Sequence, residues 1–215
     1  MRILRRHLKT MLLVPLVASL GGCQPTIAWF TAQFAPPQKV EAIYKPPKDK
    51  KVLVFVDDLR CPVSYDPLKA DLTEQLNRHI KEQKLAAETI PYERLVDLMA
   101  ATPNFNQLHV PDVGQKLSAE LVLYVEITKF SLKDNEGSPL WQGKLGVSVK
   151  WVDATGRIWP RDRPDGYPLP SVDLPSVENA AVTYGSEVAK ELANQMADKV
   201  AKLFYDHTGP PLGTR

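Results

Sequence analysis

Val52-Leu53-Val54-Phe55-Val56-Asp57-Asp58 is the stretch whose reading decides the fold. Five consecutive apolar residues, three of them β-branched, form a run too short for a helix. An unbroken apolar strand has both faces buried, which requires helices on both sides of a sheet. The acidic pair then ends the strand in a turn. Working outward, Asp66-Pro67 offers an N-cap and a first helical residue, after which Leu68, Leu72, Leu76 and Ile80 recur along one face. That spacing predicts an amphipathic helix to about Gln83. A short strand is expected over 88–92, weakened by Pro91, followed by a short helix carrying Leu95, Val96, Leu98 and Met99.

Pro111 opens another short helical turn with Val113 and Leu117. The second strong strand spans 119–132, continuously apolar from Leu121 to Val125, and thins toward a turn at 134–137. Leu145, Val147, Val149 and Trp151 then alternate with Lys144, Gly146, Ser148 and Lys150, the pattern of a half-buried antiparallel strand. Asp153-Ala154-Thr155-Gly156 turns the chain into a short return strand, Arg157-Ile158-Trp159, stopped by Pro160. Four prolines in 161–175 and little to bury predict an exposed loop. A final helix is expected over 177–205, with Val188, Leu192, Met196, Val200 and Phe204 on one face beside Ala189, Ala193 and Ala197. Residues after His207 are expected to fray. The expected fold is therefore α/β: a single-domain mixed sheet covered by helices, in the order β-α-β-α-β-β-β-α.

The N-terminal segment has a different character. Arg2, Arg5, Arg6 and Lys9 precede an apolar run, 10–20, that is too short to span a bilayer. A spanning helix needs roughly 20 apolar residues. Leu20-Gly21-Gly22-Cys23 follows and resembles the lipobox of bacterial lipoproteins. That resemblance implies signal-peptidase recognition of Leu20, Gly21 and Gly22, acylation of Cys23, and a mature chain beginning at that cysteine. Gln24 stands where Asp would signal inner-membrane retention, so the likeness implies a lipid anchor in the outer membrane facing the periplasm. Arg5-Arg6 leaves the general secretory and twin-arginine routes both open.

The expected organisation is a cleaved signal over 1–22, a lipidated tether over 23–50, the α/β domain over 51–207 and a tail over 208–215. The tether holds Pro25, Pro36, Pro37, Pro46 and Pro47, which favour an extended arm. Its Trp29, Phe30 and Phe34 suit either lipid headgroups or packing on this or a neighbouring subunit, with packing preferred.

The chain has 215 residues and a formal charge of +2, but four of its 27 Lys and Arg lie in the first 22. The mature chain thus carries 23 basic against 25 acidic residues. With no basic run, a nucleic-acid partner is not expected. Once Cys23 is acylated, Cys61 has no internal disulfide partner. A shielded strand-end thiol is the preferred reading, an intermolecular or reactive thiol the alternative.

Three motifs carry a further resemblance. Val52–Asp58 is similar to the first strand and acidic turn of the periplasmic lipoproteins grouped around CsgG, the curli exporter, with the LpoB activators of peptidoglycan synthases and the PelC exopolysaccharide-export lipoproteins. Val113-Gly114-x-x-Leu117-x-Ala119-Glu120-Leu121-Val122-Leu123 resembles that group's helix leading into its third strand. Val152-Asp153-Ala154-Thr155-Gly156-Arg157-Ile158-Trp159 resembles its turn and following strand. The likeness covers about 51–205 and implies a periplasmic assembly or adaptor role, with a protein partner or further copies of itself. One departure matters: the Pro-rich 161–175 segment cannot supply the paired strands of roughly 10 residues that a membrane barrel needs.

Candidate catalytic groups are Asp57 and Asp58 at the end of the first strand, where α/β folds commonly place ligands, with Asp66, Asp71, His79 and Glu126 as company. Each has a structural reading as well: Asp57 and Asp58 form a turn, Asp66 caps a helix, and His79 flanks the apolar stripe. His79, His109 and His207 lack paired metal-ligand spacing. No Gly-x-Ser-x-Gly elbow, phosphate-binding loop or Cys/His dyad occurs. The expectation is a non-enzymatic protein without metal or cofactor. The alternative is a hydrolase or small-ligand-binding lipoprotein working from the acidic strand end. Candidate partner-binding residues are Trp29, Phe30, Phe34, Trp141 and Tyr167, although core packing is the preferred reading of Trp141 and Trp159.

Overall fold

The computed structural model describes residues 39–133, 138, 140–178 and 184–209. Its first element, β1 (Lys39–Val40), is followed by β2 (Lys51–Asp57), α1 (Pro67–Glu82), β3 (Glu88–Thr89) and α2 (Tyr92–Ala101). A 3-10 turn at Phe105–Gln107 leads to α3 (Val110–Lys116) and β4 (Leu121–Lys133). Then come β5 (Leu140–Asp153), β6 (Gly156–Trp159), β7 (Tyr167–Pro168), β8 (Val172–Asp173), β9 (Val177–Glu178), α4 (Tyr184–Lys202) and β10 (His207–Thr208).

The main sheet runs β3-β2-β4-β5-β6, with β7, β8 and β9 also paired to β5. β2 is parallel to both β3 and β4, while β4 and β5 are antiparallel, so the sheet is mixed as expected. Because alternate side chains point to opposite faces, the sheet builds two cores. On one face Val52, Val54, Val56, Leu123, Val125, Val147 and Trp151 pack against the α1 stripe and against Leu192, Met196 and Val200 of α4. On the other, Leu53, Phe55, Val122 and Val152 meet Leu95 of α2 and Val113 and Leu117 near α3. This explains the unbroken apolar run: each residue of Val52–Val56 faces a helix-covered layer. Full burial of a side chain of this size contributes about 1.5–3 kcal/mol.

Several expectations are corrected. Asp66 adopts helical dihedrals and makes no side-chain cap hydrogen bond; Leu68 N–H instead bonds to Tyr65 C=O at 3.1 Å. The final helix begins at Tyr184, not 177, because Val177–Glu178 pairs with Leu140–Trp141 as β9. The 161–175 segment is not a free loop. Its two-residue strands lie in succession along β5, and Leu169 and Val172 are 7% and 2% exposed. Prolines are tolerated there because a broken edge asks few residues to donate to a ladder. The expected turn at 134–137 lies outside the described residues.

The last part of the expected tether also packs. Lys39–Val40 pairs antiparallel with His207–Thr208, so Thr208 belongs to a strand rather than to a fraying tail. Ile43 and Tyr44 N–H groups both donate to Leu203 C=O, at 2.8 and 3.1 Å. Asp206 accepts from Ala42 N–H at 3.0 Å and pairs with Lys45 at 2.9 Å. Tyr44 stacks on Trp159, their ring centroids 5.3 Å apart. Prolines at 46 and 47 forbid a helix here but not this extended clasp.

Candidate functional site

The parallel pairing of β2 and β4 places Asp57 opposite Glu126, and the antiparallel pairing of β4 and β5 places Glu126 opposite Ser148. A polar row therefore crosses three strands on the α2–α3 face, at the carboxyl end of β2. Its members are buried: Asp57 is 8% exposed, and Glu126 and Ser148 are each 5% exposed. Tyr124, two residues before Glu126 on the same face, donates its hydroxyl to Asp57 Oδ2, while Asp57 Oδ1 accepts from Leu59 N–H at 3.1 Å. Burial and the bond to Asp57 push the Tyr124 hydroxyl far above its usual acidity range, so it stays protonated as a donor.

The surrounding loops close over this row. Arg60 Nε lies 3.0 Å from Glu126 Oε1, and the same guanidinium reaches Asp165 at 3.3 Å. Ser148 Oγ donates to Asp165 C=O at 2.7 Å. Gly166 follows with φ +93°, and a Cβ there would sit 2.6 Å from Ser148 Oγ. Only glycine fits that approach without strain. The loop after β2 and the proline-rich edge are thus tied together across the acidic row. Lys150 lies over the Tyr124 ring, 5.0 Å from its centroid.

Asp58 is turned away from this row. Lys69 Nζ lies 2.8 Å from its Oδ1, and Val63 N–H donates to Oδ2 at 3.2 Å. Burial pushes this carboxyl up, but the bonds from Lys69 and Val63 outweigh it and hold the group below its usual range. Of the six candidate catalytic groups, the structure brings together Asp57 and Glu126. Asp66 stands exposed before α1, and Asp71 and His79 lie partly exposed on α1. Tyr124, Arg60, Ser148 and Asp165 were not singled out from sequence. The alternation around Ser148 placed it on the face opposite Val147, but a serine between valines gives no sign of its loop partner. Among the described residues no group of three or more His, Cys, Asp or Glu could hold a metal ion.

The partner-binding candidates separate as well. Trp141 is partly buried, with Lys133 over its ring at 4.6 Å and Gly185 against its edge. Tyr167 stacks on Trp159 at 5.3 Å, and Arg163 lies over Tyr167 at 5.3 Å. Tyr44, Trp159, Tyr167 and Arg163 form one ladder in which the faces of Trp159 are taken up internally. Trp29, Phe30 and Phe34, with Leu20, Gly21, Gly22 and Cys23, lie outside the described residues. Cys61 is partly buried against the core.

The fold is a mixed α/β sheet domain covered by helices. The chain is similar to dodecameric PelC from Paraburkholderia phytofirmans, at 12% identity over 79% of this chain and 97% of that one, with TM-score 0.38. It is similar also to a lipoprotein from Neisseria meningitidis, at 11% identity, 69% and 98% coverage and TM-score 0.37. A minor lipoprotein from Acinetobacter baumannii aligns at 10% identity, 71% and 90% coverage and TM-score 0.34. These identities and scores assign this chain no activity, partner or assembly. No protein-family model matches the chain, and no curated protein does.

Proposed function

We propose that this chain is an outer-membrane-anchored periplasmic lipoprotein acting as a non-enzymatic assembly or adaptor component in envelope biogenesis, export or wall-synthesis regulation. The observation that carries the anchor is Leu20-Gly21-Gly22-Cys23 behind a basic segment and a short apolar run. The internal bonding of the strand-end acids supports the non-enzymatic part: Asp57 is held by Tyr124 and Leu59, and Asp58 by Lys69 and Val63. Such bonds give both residues structural work in closing a turn.

Cys23→Ala tests the anchor: incorporation of an alkyne-labelled palmitate should vanish and the protein should leave the membrane fraction. Retained labelling would overturn it. Native mass spectrometry of the acyl-free chain from Gln24 across a concentration range tests self-assembly. A closed ring would direct attention to subunit interfaces, and a strict monomer to crosslinking for another protein.

One observation favours a second reading, a hydrolase or small-ligand-binding lipoprotein. Glu126 Oε2 is buried without a hydrogen-bond partner beside Asp57, at the carboxyl end of parallel strands. The double variant Asp57→Asn, Asp58→Asn separates the two. An unchanged phenotype and ligand profile sinks the enzyme reading, whereas a stable but inactive protein sinks the adaptor one.

A further inference from the structure

The β2–β3 ladder stops early. Its last rung is Ile90 N–H to Val52 C=O at 2.9 Å, and the next acceptor, Ile90 C=O, is taken by the Asn77 side-chain amide at 3.1 Å. Asn77 thus stands where β2 would otherwise have continued its ladder. Two buried threonines adjoin Asn77, one on α1 and one on β3. Thr89 is the register partner of Val52, whose side chain packs under α1, so Thr89 points to the same helix. Thr73 lies one turn before Asn77 and shares its face of α1. Thr73, Asn77 and Thr89 are 0%, 8% and 6% exposed. Thr73 Oγ1, Asn77 Oδ1 and Thr89 Oγ1 are each buried without a hydrogen-bond partner.

Leaving a buried polar atom unpaired is costly, and here three such atoms lie on adjoining elements. Their chemistry is complementary to one small ligand. Asn77 Oδ1 only accepts, whereas each threonine hydroxyl both donates and accepts. We propose that α1 and the β2–β3 edge enclose an ordered water molecule bound by Thr73, Asn77 and Thr89. The water donates to Asn77 Oδ1 and to one hydroxyl, and accepts from the other. Three protein partners are what an internal water typically has. Through the Asn77 amide, this water fixes the point at which the β2–β3 ladder ends.

The test uses the acyl-free chain from Gln24, labelled with carbon-13 at threonine methyls, in nuclear Overhauser experiments that detect water bound for longer than about a nanosecond. Cross-peaks from water to the Thr73 and Thr89 methyls are expected, with the sign of a long-lived contact. Thr89→Val, which keeps the shape and removes the hydroxyl, should abolish the Thr73–water cross-peak while the folded spectrum persists. A crystal structure at high resolution should show density within hydrogen-bond distance of all three atoms. Absence of both cross-peaks in the wild-type protein overturns the proposal. So does a map in which the three side chains bond directly to one another. If Thr89→Val fails to fold, Thr73→Val with the Thr89 methyl as reporter gives the same reading.

Discussion

A single hydroxyl decides how Asp57 is tolerated. The carboxylate is almost fully buried at the end of β2, with Tyr124 and Leu59 as its hydrogen-bond donors. Tyr124→Phe removes the stronger donor without changing the ring, and should lower stability by about 1–3 kcal/mol in urea unfolding. A change under a few tenths would show that Asp57 is satisfied otherwise. Asp58 carries a pH dependence instead. Its acidity is enhanced in the folded state, so its contribution is fully present above the unfolded value of about 3.9 and is lost as pH falls through the lower folded value. The urea midpoint of the wild-type protein should therefore drop more steeply between pH 5 and pH 2 than that of Asp58→Asn. Parallel curves would remove Asp58 from the acid response.

Among the elements, β5 and α4 pack closely at Gly143. A Cβ on Gly143 would lie 2.6 Å from Val188 Cγ1 and 3.0 Å from Leu192 Cδ1. Gly143→Ala forces the helix outward and should cost about 1–3 kcal/mol, measured as a lowered urea midpoint with unchanged slope. An unchanged midpoint would mean the helix shifts freely. How far the elements could be read from sequence depended on whether they declared a period. β2, α1, β4 and β5 each bury a face or stripe, and their apolar spacing announced them. The two-residue strands β7, β8 and β9 have no period to display, and their prolines argue for a loop. They become strands only because β6 covers just Trp151–Asp153 of β5's second edge, a fact of the assembled sheet. Asp66 shows the opposite failure: its residue type and place before Pro67 suit a cap, but its backbone has already entered the helical region. Of the acidic site, Asp57 and Glu126 were candidates because carboxylates near strand ends are visible in the sequence. Their tyrosine and arginine partners come from register and loop closure, which no local pattern encodes.

For the molecule as a unit, the clasp of β1 on β10 joins the two ends of the described fold. Asp206 holds it through Ala42 N–H, Lys45 and Lys39. Asp206→Ala should therefore loosen residues 42–44 without disturbing the sheet. Amide hydrogen exchange at Ile43 and Tyr44 should quicken about tenfold. Exchange at Leu123 and Val125, in the centre of the sheet, should not change. A uniform acceleration would instead make the clasp part of the global folding unit.

The two rims of the sheet have one more consequence. On one side β3 contributes only Glu88 and Thr89, and on the other β5 is lined by four short pieces interrupted by proline. Among the described residues the outermost strands are only two to four residues long, so strand-by-strand growth from copy to copy is disfavoured at both borders. The described fold is thereby protected from fibre formation at high concentration. Any ordered assembly of copies must be cemented by side chains of its helices and loops, not by one sheet continuing through the whole.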